Sequence, residues 1–152
     1  METKNTTPKN NPQNKTVFVE LLEWNPGYVI LETDYGYWKI KEEDWDLVYK
    51  DARYVGGNYY FIQAADLVWL AVKYGFPVDE DLAREVIREV LEGAEDAPHV
   101  RAWVVLMQYI MKRLGYVFSE DDDSDDAVFE EAVEAAEEYI RRWVEGEVSL
   151  AQ

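Results

Sequence analysis

The chain contains no cysteine and a single histidine, His99, among its 152 residues. The absence of cysteine excludes disulfide bonds, thiolate nucleophiles and cysteine-ligated zinc sites. One imidazole also leaves little of the metal binding and acid–base chemistry that proteins usually build from histidine. The composition therefore excludes thiol chemistry and most of the usual metal-dependent activities.

Long hydrophobic runs are missing as well. No stretch reaches the roughly 18 consecutive apolar residues that a membrane-spanning helix requires. Residues 1–15 are polar throughout, so they do not have the apolar segment of a secretory signal. We therefore expect a cytoplasmic protein with no membrane partner.

The sequence also lacks the short motifs that mark common enzyme classes. Glycine-rich phosphate loops, the GxSxG nucleophile motif and the HExxH zinc motif do not occur. We accordingly predict no catalytic residues, no metal site and no cofactor. The expected class is a binding protein and not an enzyme.

Positive charge is scarce. Lysine and arginine number 15 against 32 aspartate and glutamate residues, for a formal net charge of -17. Phosphate backbones and anionic lipid surfaces repel a chain of this charge. Direct nucleic-acid binding is therefore not expected, and the favoured partner is a basic protein surface.

The length fits one domain preceded by a short tail. Residues 1–15 are rich in Asn, Thr, Pro and Lys and contain one apolar residue, so burial cannot offset the entropy of ordering them. We predict a flexible tail over residues 1–15 and a single α+β domain over residues 16–152.

The first part of this domain has the pattern of a β-meander. Residues 16–24, 28–33 and 37–41 are dense in β-branched and aromatic side chains, and turn-forming residues separate them. Residues 55–60 fit either a hairpin turn or a loop between helices.

The remainder is predicted to be helical. Helical periodicity extends over residues 62–74, between Asp79 and Gly93, from Asp96 to Leu114 and over residues 126–145. The predicted architecture is a small N-terminal antiparallel β-meander packed on a bundle of about four helices.

Two polar residues lie within apolar helical segments. His99 is in the first turn of the most apolar helix, where we expect a partly buried, neutral structural histidine; a general base is the alternative. Asp66 falls at helical spacing with Ile62, Trp69 and Lys73. This pattern predicts an exposed stripe, which is either a contact surface or simply solvated.

Paired carboxylates raise the hypothesis of a small metal-dependent nucleotide hydrolase. Glu89 and Glu92, followed by Glu120 and Asp123, give a spacing similar to the ExxE and ExxD pattern of the all-helical nucleotide pyrophosphohydrolases. Such matches arise easily by chance in so acidic a chain. Glu89 and Glu92 are also predicted to face solvent, which favours a structural interpretation.

The acidic run at residues 120–126 resembles the start of a calcium-binding loop. Asp121, Asp123 and Asp125 match its first three ligand positions. The sixth position is not glycine and the twelfth, Ala132, is not acidic. We therefore predict an acidic surface loop and not a metal site.

Charge is most concentrated at the C-terminal end, where residues 118–152 contain 13 acidic and 2 basic side chains. Carboxylates fixed on a helix can imitate a phosphate backbone. We therefore predict an acidic binding or inhibitor protein, a nucleic-acid mimic of viral, phage or plasmid origin. It would occupy the basic groove of an RNA polymerase, a CRISPR effector or a DNA-binding protein. The predicted partner-binding residues are Glu120, Asp121, Asp122, Asp123, Asp125, Asp126, Glu130, Glu131, Glu134, Glu137 and Glu138.

Aromatic residues support an alternative. Six Trp and eleven Tyr exceed the needs of a core of this size, and both types favour protein interfaces. A structural or assembly subunit, either a homodimer or part of a larger complex, would use these side chains for contact. Those crowding the predicted sheet and its loops are Tyr28, Tyr35, Tyr37, Trp45, Tyr54, Tyr59 and Tyr60.

Overall fold

The structure is a computed structural model that describes residues 15–116 and 126–150. Residues 1–14 of the predicted tail and the acidic loop therefore lie outside the described residues. The fold is α+β, as predicted. Its elements are β1 (Thr16–Asn25), β2 (Tyr28–Thr33), β3 (Gly36–Lys41), α1 (Glu42–Lys50), β4 (Arg53–Tyr54), β5 (Tyr59–Gln63), α2 (Ala64–Tyr74), α3 (Glu80–Leu91), α4 (Ala97–Arg113) and α5 (Asp126–Val144).

The strands form one antiparallel sheet in the order β3-β2-β1-β5-β4. The β1–β3 meander confirms the prediction, and β4 with β5 forms the hairpin that the sequence left undecided. Its turn is closed by a 3.0 Å hydrogen bond from the Val55 amide to the Tyr59 carbonyl. Gly56 and Gly57 have φ angles of 106° and 57°, which glycine adopts without steric cost.

Side chains alternate between the two faces of this sheet. In β3, Trp38 and Ile40 are buried whereas Tyr37 and Lys39 are exposed, as the two-residue period of a strand requires. Helices α1 and α2 pack on the buried face. The opposite face, called here the outer face, is not covered by any helix within the described residues.

Helix α2 begins later than predicted. Phe61 and Ile62 belong to β5, where they pair with Phe18 and Val17 of β1, and the helix starts at Ala64. Helical periodicity extended the prediction too far because long-range strand pairing outweighs local spacing. The predicted end is confirmed, since Gly75 follows Tyr74 in the left-handed conformation with a φ of 80°.

Helix α4 lies at the centre of the helical layer and packs against α2, α3 and α5. Its Leu106 and Ile110 are buried, whereas Val100 and Val104 remain exposed. Helix α5 buries Ala132, Ala136, Ile140 and Trp143 against α3 and α4, whereas Phe129, three residues before Ala132, is exposed.

The residues after α5 fold back onto α3. The Leu150 amide donates to the Glu80 carboxylate at 3.2 Å, and the Tyr139 hydroxyl donates to the Ser149 carbonyl at 3.0 Å. These contacts fix the C-terminal end of α5 on the domain. Within residues 15–116 and 126–150, no helix is long and apolar enough to cross a membrane.

Candidate protein-binding surface

Helix α5 presents a row of carboxylates on its outer side, called here the α5 acidic stripe. It consists of Glu130, Glu131, Glu134, Glu137 and Glu138, of which Glu137 is partly buried and the others are exposed. A rise of about 1.5 Å per residue spreads these five charges over about 12 Å of helix axis. The mean axial spacing is about 3 Å per charge, against about 1.7 Å of axis per charge in duplex DNA.

In the part of the chain that the structure describes, no cation lies within ion-pair distance of the α5 acidic stripe, although Arg141 and Arg142 follow Glu137 and Glu138 at i,i+4 spacing on the same helix. Among the described residues none of the five forms an ion pair, and the one hydrogen bond runs from the Tyr116 hydroxyl to Glu131 at 3.3 Å. On α3, by contrast, Arg84 pairs with Glu80 at 3.3 Å and with Asp81 at 3.2 Å. The stripe therefore has no ion-paired carboxylate within the described ranges, whereas Glu80 and Asp81 at the start of α3 share the single cation of Arg84.

The structure describes only part of the predicted partner-binding set. The five glutamates of α5 are brought together on one side of one helix, as the helical spacing predicted. Asp126 is described only as the first residue of α5. The remaining predicted residues, Glu120, Asp121, Asp122, Asp123 and Asp125, lie outside the described residues.

His99 is held between two carboxylates in the core. Its Nδ1 lies 2.9 Å from both carboxylate oxygens of Asp96, and its Nε2 lies 2.7 Å from Glu89 Oε1. Burial lowers the pKa of the imidazole, but the hydrogen bonds to Asp96 and Glu89 raise it, and the net pKa is above its ordinary value. Both ring nitrogens face carboxylates, which accept when ionised, so the arrangement favours the protonated imidazolium over the expected neutral histidine and engages both nitrogens that a general base would need.

Glu89 also departs from its predicted position. Its side chain is turned toward His99 and is only 14% exposed, whereas helical spacing had placed it on the solvent face. The ion pair with His99 draws it inward. Asp123 lies outside the described residues, so the structure does not describe its distance from Glu89 and Glu92, the other carboxylates of the hydrolase hypothesis. Within the described ranges no cluster of three or more His, Asp or Glu residues has a metal-binding arrangement.

Asp66 is fully buried, so the predicted exposed stripe is wrong. Ile62 of that pattern lies in β5, and α2 packs into the core along most of its length. Arg101 donates to Asp66 Oδ1 through Nη2 at 3.0 Å and Nε at 3.2 Å. Burial raises the pKa of Asp66 to about 6 although the guanidinium opposes the shift. Asp66 Oδ2 has no hydrogen-bond partner among the described residues.

A shallow groove of about 340 Å³ runs between α2 and α4 near this ion pair. Trp69 lines it, with Arg101 5.4 Å and Lys73 5.3 Å from a Trp69 ring centre. Lys73 is itself paired with the buried Asp44 at 2.9 Å. Both cations are thus already engaged by carboxylates, and the arrangement joins α1, α2 and α4 as a structural network.

The outer face of the sheet carries a second exposed surface, which is aromatic. Phe18 stacks on Tyr59 with ring centres 5.2 Å apart and meets Phe61 edge-on at 5.5 Å. Tyr37 is 70% exposed at the far strand. The aromatic count in the sequence indicated surface rings, but only the strand register shows which of them share a face.

Comparison with known proteins assigns the chain to no class. No protein-family model matches it, and neither a curated protein nor a solved structure is significantly similar to it. The function is therefore argued from the geometry and charge of the two surfaces described above.

Proposed function

We propose that this protein binds a basic protein surface through the α5 acidic stripe and thereby occupies a groove that otherwise holds nucleic acid. The observation that carries the proposal is the set of five glutamates on one side of α5 that form no ion pair among the described residues. The partner class is an RNA polymerase, a CRISPR effector or a DNA-binding protein. Cytoplasmic location and a viral, phage or plasmid origin belong to the same proposal.

The rigidity of α5 supports this function. Trp143 is fully buried, its indole Nε1 donates to Glu80 at 2.6 Å, and Arg84 Nε donates to the Trp143 carbonyl at 2.9 Å. An anchored helix fixes the backbone positions of these carboxylates before the partner arrives, so binding has to order only their side chains. A groove lined with Lys and Arg would meet complementary charge, which speeds encounter and selects the partner.

A displacement assay tests the proposal. Labelled duplex DNA is bound to purified RNA polymerase core, to a CRISPR effector complex and to a histone-like protein, and the chain is titrated against each. The stripe variant replaces Glu130, Glu131, Glu134, Glu137 and Glu138 with Gln, which keeps side-chain size and removes charge. Each titration is repeated over a range of salt concentrations.

We expect the chain to displace DNA from at least one of these proteins, with an affinity that falls as salt rises. The stripe variant should bind about tenfold or more weakly, with a shallower salt dependence. The proposal would be contradicted if the affinity did not change with salt concentration. It would also be contradicted if the chain displaced DNA from none of the three DNA-binding proteins.

A further inference from the structure

The outer face of the sheet places two glutamates side by side. Glu20 of β1 is the register partner of Glu32 of β2, so their Cβ atoms lie about 5 Å apart. Glu20 is also the register partner of Tyr59 on β5, and Glu32 is that of Tyr37 on β3. One row across four strands therefore reads Tyr59, Glu20, Glu32, Tyr37.

This carboxylate pair is unfavourable in the isolated protein. Like charges directly opposite each other on neighbouring strands destabilise a sheet. Neither Glu20 nor Glu32 forms an ion pair within the part of the chain that the structure describes. Two cations of the outer face contact aromatic rings and not these carboxylates. Lys39 Nζ lies 4.4 Å from the ring centre of Tyr28, and the Arg53 guanidinium lies 5.6 Å from the ring centre of Phe61.

Aromatic rings flank the pair on both sides. Phe18 is 46% exposed and stacks on Tyr59, which borders Glu20, while Tyr37 borders Glu32 from the other side. An arginine or lysine side chain laid on this row would place its charge on the carboxylates and its stem or guanidinium plane on the rings. Both contacts are favourable for cations on aromatic surfaces.

We infer that the outer face is a second docking surface, whose occupant is an arginine- or lysine-bearing segment of the basic partner. The inference rests on the proposed function, because that function supplies a cationic partner. A second copy of this chain fits poorly, since a net charge of -17 opposes self-association. Contacts run from the sheet through α2 to α4 and from α4 to α5, so this face and the α5 acidic stripe are separate surfaces.

Nuclear magnetic resonance with a short probe tests the inference, because a short peptide cannot span both surfaces. The labelled full chain is titrated with the peptide Gly-Ser-Arg-Leu-Arg-Ser-Gly, with its Arg-to-Glu counterpart and with a short oligothymidylate. The double variant Glu20→Gln/Glu32→Gln is compared with Glu92→Gln/Glu95→Gln, which removes the same charge from exposed sites off the sheet.

We expect the arginine peptide to shift the resonances of Phe18, Tyr37 and Tyr59, and the sheet double variant to bind it about fivefold more weakly. The off-sheet variant should bind like the wild type. Because a like-charge pair is removed, the sheet variant should also melt about 2–4 °C higher, which shows that it folds.

The inference is overturned if the peptide shifts only α5 resonances, if the sheet variant binds it as well as the wild type, or if oligothymidylate binds the sheet in its place. Shifts confined to α5 would contradict this inference but not the proposed function. Shifts on the sheet, together with a failure to displace DNA in the assay above, would contradict the proposed function and not the presence of a cation-binding sheet face.

Discussion

His99 illustrates at the residue scale how a charged group is retained in the core. Its folded-state pKa lies above the ordinary 6.5 because Asp96 and Glu89 accept from its two ring nitrogens, against the effect of burial. The contribution of protonated His99 to the free energy of unfolding is therefore complete below the unfolded-state pKa of this histidine. It is lost as the pH rises through the folded-state pKa.

We predict that the free energy of unfolding of the wild type falls as the pH rises from 6 to 9, while His99→Gln lacks this dependence. At pH 6 the variant should be less stable by about 3 kcal/mol, since a buried ion pair loses its cation. Urea denaturation at several pH values measures both effects. An equal slope in the two proteins would show that His99 is not the titrating group.

The Asp66–Arg101 pair gives a second prediction at this scale. The pKa of Asp66 is raised to about 6 mainly by burial, so this group lowers stability as the pH rises between about 4 and 6. Arg101→Met removes the cation and leaves the buried carboxylate without compensation at neutral pH. We expect a loss of about 3–5 kcal/mol at pH 8.

At pH 5 the same substitution should cost less, because Asp66 then takes up a proton. Urea denaturation of wild type and Arg101→Met at the two pH values makes the comparison. Arg101→Lys is the matched control, since it keeps a cation near Asp66. An equal loss from Arg101→Met at both pH values would contradict the assignment of a buried charge to Asp66.

At the scale of elements, the position of α5 depends on Trp143. The indole is fully buried and donates to Glu80, which also accepts from the Leu150 amide. We predict that Trp143→Ala lowers the free energy of unfolding by about 3–5 kcal/mol. Trp143→Phe keeps most of the packing and loses one hydrogen bond, so it should cost about 1–2 kcal/mol.

Thermal and urea denaturation of the two variants measure these losses. Equal losses would mean that the hydrogen bond to Glu80, and not packing, holds α5 in place. A small loss in both would show that α5 is only loosely attached, which is incompatible with a preorganised acidic stripe.

The ends of a helix could be predicted from the sequence where the residues that cap it are its immediate neighbours in the chain. Asp79, the predicted start of the periodic segment, caps α3, its carboxylate accepting from the Asp81 amide at 3.1 Å, and Asp96 precedes α4 with Pro98 in its first turn. Period-two alternation likewise accounts for the two faces of β3. The glutamates of α5 could be placed on one side because their spacing alone determines it.

Features that depend on distant pairing could not be predicted. The start of α2 was misplaced because Ile62 pairs with β1, and Asp66 looked exposed because helical spacing does not show what covers a helix. The pair formed by Glu20 and Glu32 depends on the register between β1 and β2. That register includes an irregularity between Leu21 and Glu23, which no local pattern signals.

At the scale of the whole molecule, self-repulsion is the main consequence of a net charge of -17. Salt screens exposed charges, with a Debye length of about 10 Å at 0.1 M. We predict that the melting temperature rises by several degrees between about 0.01 M and 0.5 M sodium chloride. The stripe variant should melt higher than the wild type at low salt and gain less from salt. A melting temperature that salt lowers would contradict this expectation.

The location of the negative charge, as opposed to its amount, is what the proposed function requires. A scattered variant carries Asp34→Asn, Glu43→Gln, Asp46→Asn, Glu92→Gln and Glu95→Gln, all at exposed positions outside α5, and loses the same charge as the stripe variant.

The most direct measurement is displacement of duplex DNA from the protein that the chain binds, with both variants at one salt concentration. The stripe variant should lose about tenfold or more in affinity while the scattered variant stays within about threefold of the wild type. Equal losses in the two variants would show that bulk charge, and not the α5 acidic stripe, accounts for binding.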